Sequence, residues 1–257
     1  MSAFRVVIPA RYASTRLPGK PLREIGGRPM ILHVCERARA SGAREVIVAT
    51  DDERIERVVT AAGFDACMTD PAHPSGTDRI VEVVERRGWS DEEIVVNLQG
   101  DEPDMPAKLL TQVARALSGH SDAVMATLGA PLESIGELDD PNVVKLVSDR
   151  HGYALYFSRA PIPWYREHFA NGIGSLPKAH VAMRHIGLYA YRVGFLKIYA
   201  NLPVSPLEQA EALEQLRVLW NGYRIAVRGA DERPGRGVDT AEDLRRILDE
   251  MGCDDGC

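Results

Sequence analysis

The sequence lacks what a membrane-spanning or nucleic-acid-coating protein needs. In its 257 residues no apolar run approaches the roughly 18 residues that suggest a membrane span. The first apolar stretch, Val6–Ile8, is too short for a secretory h-region and is closed by Pro9. A soluble cytoplasmic protein without a membrane partner is expected. Positive charge is not in surplus either: 31 Lys and Arg stand against 37 Asp and Glu, a net charge of -6. No global field draws nucleic acid, so any anionic ligand must be held by a local cluster of cations. Cysteine is scarce. Cys35 and Cys67 lie in periodic segments and are expected as buried thiols. Cys253 and Cys257 close an acidic tail with neither a CxxC pair nor a nearby histidine, which argues against zinc. Residues 252–257 are expected to be a disordered tail. Neither GxxxxGK[ST] nor GxGxxG occurs, which disfavours a P-loop kinase and a Rossmann dehydrogenase. No repeat, low-complexity segment or linker divides the chain.

What is present is an alternation. Strand-like runs at Phe4–Pro9, Glu45–Thr50, Ile94–Leu98 and Ala123–Thr127 are separated by helical periodicity at Pro29–Arg39, Arg54–Ala62, Ile80–Arg87 and Lys108–Leu117. That order predicts an α/β fold with a doubly wound, mostly parallel sheet. Ligands of such sheets sit outside the carboxyl ends of the strands, so the loops after Pro9, Thr50 and Leu98 should meet at one crevice. Residues 140–204 change character, with short strands at Val143–Val147, Tyr153–Phe157 and Ile186–Tyr191. They suggest an antiparallel addition plus a lid or an interface. Leu207–Trp220 is expected to be one amphipathic helix, Arg224–Val227 a strand and Thr240–Met251 a closing helix. The whole is expected to be one domain, with a smaller subregion near 130–204.

Five places could carry chemistry. The loop Ala10–Lys20 holds Arg11, Arg16, Lys20, Ser14, Thr15 and a glycine just after the first strand. It could cradle a triphosphate or be a solvated basic loop; its position favours the first. Gln99-Gly-Asp-Glu-Pro103 follows an apolar strand. Asp101 there could hold Mg²⁺ or simply sit in a turn. Asp239, in Pro234-Gly-Arg-Gly-Val-Asp-Thr240, could be a second metal carboxylate; on its own a helix cap reads better. Pro74–Arg79 opens a helix, whose N-terminus can bind an anion. Arg184-His185 and Arg159 flank strands; His185 alone reads as a core histidine, and Glu208, Glu211 and Glu214 as a solvated face.

Taken together, these motifs resemble those of the CMP-Kdo synthetases, the 3-deoxy-manno-octulosonate cytidylyltransferases. The resemblance runs from about Phe4 to Glu250. It is carried by Ile8–Leu22, Val48–Asp51, Ser75–Arg79, Asn97–Pro103, Tyr153–Arg159, Arg184–Tyr189, Ser205–Glu208, Leu213–Arg217 and Pro234–Thr240. It implies a Rossmann-like fold of the sugar nucleotidyltransferase type and a homodimer paired through the smaller subregion. It implies that Ala10, Arg11, Ser14, Thr15, Lys20, Thr50, Ser75 and Gly76 bind CTP, with Lys20, Arg11, Asp101 and Asp239 catalytic. Asp101 and Asp239 would share Mg²⁺, and Arg79, Gln99, Arg159, His185, Tyr189 and Glu214 would line a pocket for Kdo. The product would feed lipopolysaccharide assembly. Another acidic sugar, such as the 8-amino analogue of Kdo or sialic acid, is the nearest rival acceptor. A non-catalytic nucleotide-sugar sensor would be expected to have lost Lys20 or a metal carboxylate, and none is missing.

Overall fold

The computed structural model describes residues 3–13, 17–170, 172, 174–235 and 237–250. The expectations for Ser14, Thr15, Arg16, Cys253 and Cys257 lie outside the described residues. The chain begins with β1 (Phe4–Ala10), one 3-10 turn at Lys20–Leu22 and the short hairpin of β2 (Glu24–Ile25) and β3 (Arg28–Pro29). There follow α1 (Met30–Ala40), β4 (Glu45–Thr50), α2 (Glu53–Ala61), β5 (Asp65–Met68), α3 (Gly76–Arg87) and β6 (Ile94–Asn97). Next come α4 (Ala107–Ser118), β7 (Ala123–Pro131), α5 (Ile135–Asp139), β8 (Lys145–Ser148), β9 (Ala154–Ser158) and β10 (Met183–Arg192). The chain closes with α6 (Val193–Tyr199), α7 (Pro206–Glu211), α8 (Gln215–Trp220), β11 (Arg224–Gly229) and α9 (Ala241–Glu250).

The main sheet runs β11-β7-β10-β6-β1-β4-β5, with β8 added to β10 and β9 to β8. β4 and β6 flank β1 in parallel, and β5 and β11 extend the parallel edges. β10 runs against both β6 and β7. A strand covered on both faces needs no polar side, and all seven residues of β1 are buried. Its side chains divide by the two-residue period. Phe4, Val6 and Ile8 join the core under α1, α2 and α4, whereas Val7 joins the core under α3, α6 and α8. Helices on both faces make the sheet doubly wound, as expected. Burying each large aliphatic side chain contributes about 1.5–3 kcal/mol, so these two layers dominate the stability.

Three features differ from expectation. The region 140–204 is not merely appended, because β10 lies in the middle of the main sheet between β6 and β7. Cys35 is buried, and burial pushes its thiol up to about 12; Cys67 is only half-buried on the edge strand β5. Leu207–Trp220 is not one helix. Ala212 takes a left-handed conformation (φ 50°, ψ 50°) and splits it into α7 and α8. The break lets Glu208 and Arg217 form a two-pronged ion pair, at 2.8 and 2.6 Å. Nine residues apart on a straight helix they would be separated by about 13 Å along the axis. A buried bidentate pair thus offsets a left-handed alanine, which costs roughly 1–2 kcal/mol. Among the described residues no helix is long and apolar enough to cross a membrane.

Candidate active site

The carboxyl ends of β1 and β6 open into a hollow of about 320 Å³. Its floor depends on a close approach: a Cβ on Gly100 would sit 2.9 Å from the carbonyl oxygen of Pro9, so only glycine lets the loop after β6 lie against the end of β1. Gly19, left-handed at φ 68°, turns the first loop so that Lys20 points inward. Far along the chain, the segment before α9 docks on the same loop. Val238 donates its N–H to the Asp101 carbonyl at 2.9 Å, and its side chain is buried with Leu17, Ile25, Met30 and Ile247. A Cβ on Gly237 would meet Glu102 at 2.9 Å. This docking brings Asp239 to Asp101.

Between the two carboxylates lies the Lys20 ammonium, 2.6 Å from Asp101 and 3.1 Å from Asp239. Two like charges this close repel by several kcal/mol at an effective dielectric near 20, and the shared cation relieves them. Nearby, Glu102 is pushed up to about 8 by burial and then by Asp101 and Asp239, so the corner as a whole is short of positive charge. Asp239 is not the cap of α9. Thr240 caps it, and Asp243 reaches back to the N–H groups of Asp239 and Thr240. The donor set fits a hard divalent cation: two carboxylates already converge on one positive charge. Among the described residues no group of three or more Asp, Glu, His or Cys forms a cage, so the remaining ligands would come from substrate and water.

Ala10, Arg11, Lys20, Ser75, Gly76, Arg79, Gln99, Asp101, Glu214 and Asp239 all line this hollow. Ser75 and Gly76 do so because the Ser75 hydroxyl caps α3 by accepting from the Asp78 N–H, which starts the helix a turn earlier than its periodicity indicates. Thr50 is a correction: it is fully buried, its hydroxyl accepts from the Asp52 N–H, and it is not in the wall. Arg79 is almost fully buried and held by Asp51 at 2.5 Å and Thr69 at 2.7 Å.

A second hollow, about 230 Å³, abuts the first; Gln99 and Glu214 line both. Tyr189 joins them there, with Thr77, Asn97, Tyr191 and Tyr199. Glu214 accepts from the Thr77 hydroxyl at 3.0 Å, and burial raises its carboxyl above the usual range. The six residues expected around one sugar pocket are therefore not all gathered. His185 faces a third hollow beside Glu102 and Arg184, although its ring centroid lies 5.2 Å from that of Tyr189. Its Nε2 lies 2.9 Å from the Thr127 hydroxyl, and burial lowers it to about 3, so it is neutral. Arg159 lies in the wall of neither hollow, because its guanidinium is spent on the carbonyls of Glu211 and Pro141. Sequence reasoning named Tyr189 but missed Tyr191, Tyr199, Gln215 and Glu102. Thr77 and Asn97 stood inside motifs already singled out, beside residues that were named.

A family model described as Cytidylyltransferase matches residues 5–225. A curated relative from Nitrosococcus oceani, 3-deoxy-manno-octulosonate cytidylyltransferase, is 55% identical over 246 residues, 95% of each chain. The chain belongs to the 3-deoxy-manno-octulosonate cytidylyltransferase family. A solved CMP:2-keto-3-deoxy-manno-octonic acid synthetase complexed with CTP superposes with a TM-score of 0.88 at 43% identity, covering 98% of this chain and 99% of that one. A cytidylyltransferase from Leptospira borgpetersenii, at 15% identity and a TM-score of 0.63, shares the fold; 98% of this chain and 87% of that one are covered. Like the rest of the family, the chain is a nucleotidyltransferase.

Proposed function

We propose that the chain transfers CMP from CTP to the anomeric 2-hydroxyl of 3-deoxy-D-manno-octulosonate, giving CMP-Kdo and pyrophosphate for lipopolysaccharide biosynthesis. The observation that carries this reading is the Lys20 ammonium shared by Asp101 and Asp239 at the strand ends, beside a second hollow lined by sugar-compatible groups. The 2-hydroxyl oxygen attacks the α-phosphorus in line as its proton passes to water, and the bond to the bridging oxygen of pyrophosphate breaks. Arg11 and Lys20 hold the phosphates and balance the charge that builds on the leaving oxygen. The N-terminus of α3, with Ser75 and Gly76, presents N–H groups to the nucleotide. No covalent enzyme intermediate is needed; the chain supplies position and electrostatics. Asp101 and Asp239 would hold Mg²⁺, which supplies charge neutralisation and lowers the pKa of a bound hydroxyl. A cation held by the two carboxylates would leave the Lys20 ammonium free to face the phosphates.

The protein acts as a homodimer in the cytoplasm. Leu155, Trp164 and Val181 support pairing through residues 130–204, since all three are large apolar side chains more than half exposed within that span. The test is pyrophosphate release with CTP and Mg²⁺, supplied with Kdo, the 8-amino analogue, sialic acid or no sugar. Release that requires both Kdo and the metal is expected. Release with sialic acid alone, or with no sugar, would overturn the assignment.

A further inference from the structure

The strap that joins β11 to α9 carries Asp239 across open space. Ala230 starts it by donating its N–H to the Gly129 carbonyl at 2.8 Å, and Asp231 donates to the Gln112 side chain at 3.1 Å. Val238 docks its far end on Asp101. Between these points, among the described residues, no backbone hydrogen bond holds 232–237. On one side the strap rests on the loop after β6, where a Cβ on Gly235 would sit 2.7 Å from the Asp104 carboxylate. On the other side lies the third hollow, about 490 Å³, with Pro234, Gly235 and Gly237 on one wall and Glu137 and Arg184 on another. A strap with glycines at 235 and 237 and no packing on that side is free to swing unless a side chain ties it.

Arg233 is that tie. Its guanidinium meets Glu133 and both carboxylate oxygens of Glu137, the latter at 2.9 and 3.2 Å. Glu137, on α5, is itself anchored: it accepts from the Glu133 N–H at 2.8 Å and from Arg184 of β10 at 3.3 Å. The arginine is kept there although its Nε is buried without a partner. An unpaired buried donor costs stability, and partly exposed ion pairs return little of it, so the tie adds little to the fold. What it adds is position. The strap's other ion pair, Glu232 with Lys108 at 2.7 Å, joins a lysine 81% exposed and fixes far less.

Resting on the metal site proposed above, we infer that Arg233 is a positioning residue for Asp239. Its ion pairs with Glu133 and Glu137 pin the strap to α5, so that the Asp239 carboxylate stands at Asp101 before a cation arrives. Without the tie, the cation must order the strap at the expense of its own binding free energy, and it binds more weakly. The tie also makes the metal corner depend on the 130–204 subregion, which contributes neither of its two carboxylates.

The test compares Arg233→Met, which keeps the length and removes the charge, with Arg233→Lys, which keeps the charge. Two readouts are used: the Mg²⁺ concentration that half-saturates turnover, and Mn²⁺ binding without nucleotide or sugar, followed by loss of the free-ion EPR signal. Arg233→Met is expected to raise both midpoints about tenfold. At saturating metal its KM values for CTP and Kdo should stay within about twofold of the parent, and its Tm within about 3 °C. Arg233→Lys should recover much of the loss. Glu133→Gln should weaken metal binding in the same direction, and adding it to Arg233→Met should change nothing more, because the pair is already broken. Lys108→Met, which cuts the strap's other ion pair, should leave both midpoints unmoved. A merely structural arginine would give the reverse: a lower Tm, with the metal midpoints unmoved. Midpoints for Arg233→Met within twofold of the parent overturn this inference alone. Turnover in the parent that needs no metal overturns the metal site beneath it.

Discussion

The two hollows are built in opposite ways. The first opens where parallel strands end, and much of its wall comes in short pieces of sequence, Pro9 to Arg11, His73 to Gly76 and Gln99 to Asp101, with Arg79, Glu214 and Asp239 brought in from elsewhere. The second draws Thr77, Asn97, Tyr189 and Gln215 from four distant elements and owes its last wall to a break in a helix. One gathers charges of both signs, Arg11, Lys20 and Arg79 beside Asp101, Asp239 and Glu214; the other has no Lys, Arg or His among the described residues and is set by tertiary packing. An α/β sheet fixes where a nucleotide can bind, and the acceptor side must be added by local departures from regular structure.

The largest expected effect lies in the first hollow. Asp101→Ala should lower kcat by about a thousandfold or more, since it removes half of the carboxylate pair. Stability should change by no more than about 1 kcal/mol, because Lys20 keeps Asp239. Steady-state pyrophosphate release and urea unfolding on the same sample measure both. Activity within tenfold of the parent would remove the metal assignment and leave the charged hollow as a phosphate cradle only.

Arg79 tests where the boundary runs. Its resemblance-based role was at the sugar, but its guanidinium lies in the wall of the first hollow and is tied to Asp51. Arg79→Ala leaves the Asp51 carboxylate, 14% exposed, without that partner, at a cost of about 3–5 kcal/mol. The urea midpoint should fall accordingly, and the KM for CTP should rise more than that for Kdo. A larger rise for Kdo would move Arg79 across the boundary to the acceptor.

Much of this contrast follows from what a sequence can encode locally. β4 is found at Glu45–Thr50 as its apolar run indicates, and β1 and β6 differ by one residue at an end. Each is a short run buried on both faces, the simplest pattern there is. The loops that follow them were legible for the same reason. The split of Leu207–Trp220 was not, because its apolar spacing suits one helix and the handedness of Ala212 is decided by the Glu208–Arg217 pair closing across the break. β5 was missed because Asp65–Met68 is an edge strand with no fully buried residue. Thr50 was given to CTP by the resemblance, but it is fully buried and its hydroxyl accepts from the backbone N–H of Asp52.

Ala212 gives a smaller and sharper test of the second hollow. Ala212→Val puts a β-branched side chain in the left-handed region and should cost about 1–2 kcal/mol. With Glu214 and Gln215 displaced, the KM for Kdo should rise several-fold, whereas that for CTP stays put. Ala212→Gly accepts the same backbone and should behave like the parent in both. If Ala212→Val leaves the acceptor KM unchanged, the break does not position the sugar-facing wall.

The smallest expected effect sets the surroundings of the two hollows against each other by pH. Glu102 lines the third hollow but feels Asp101 and Asp239 of the first; it would titrate near 4.5 in the unfolded chain and near 8 in the folded protein. Between those values the native state holds the extra proton, so this group makes stability fall as pH rises. His185 stands behind Tyr189 of the second; its unfolded value is 6.5 and its folded value about 3. Between 3 and 6.5 the unfolded state holds the extra proton, so this group makes stability rise with pH. Each slope is at most about 1.4 kcal/mol per pH unit. The two oppose each other from 4.5 to 6.5 and separate outside it. In metal-free protein, Glu102→Gln should therefore gain on the parent steadily from pH 5 to pH 8, read as the difference in urea midpoints. His185→Asn should show no such trend above pH 6.5, and should gain on the parent as the pH is lowered from 6.5 toward 4. A Glu102→Gln difference that stays flat from pH 5 to pH 8 would mean that the carboxyl is ionised throughout. The first hollow would then be more negative than its burial indicates, and its demand for a cation correspondingly greater.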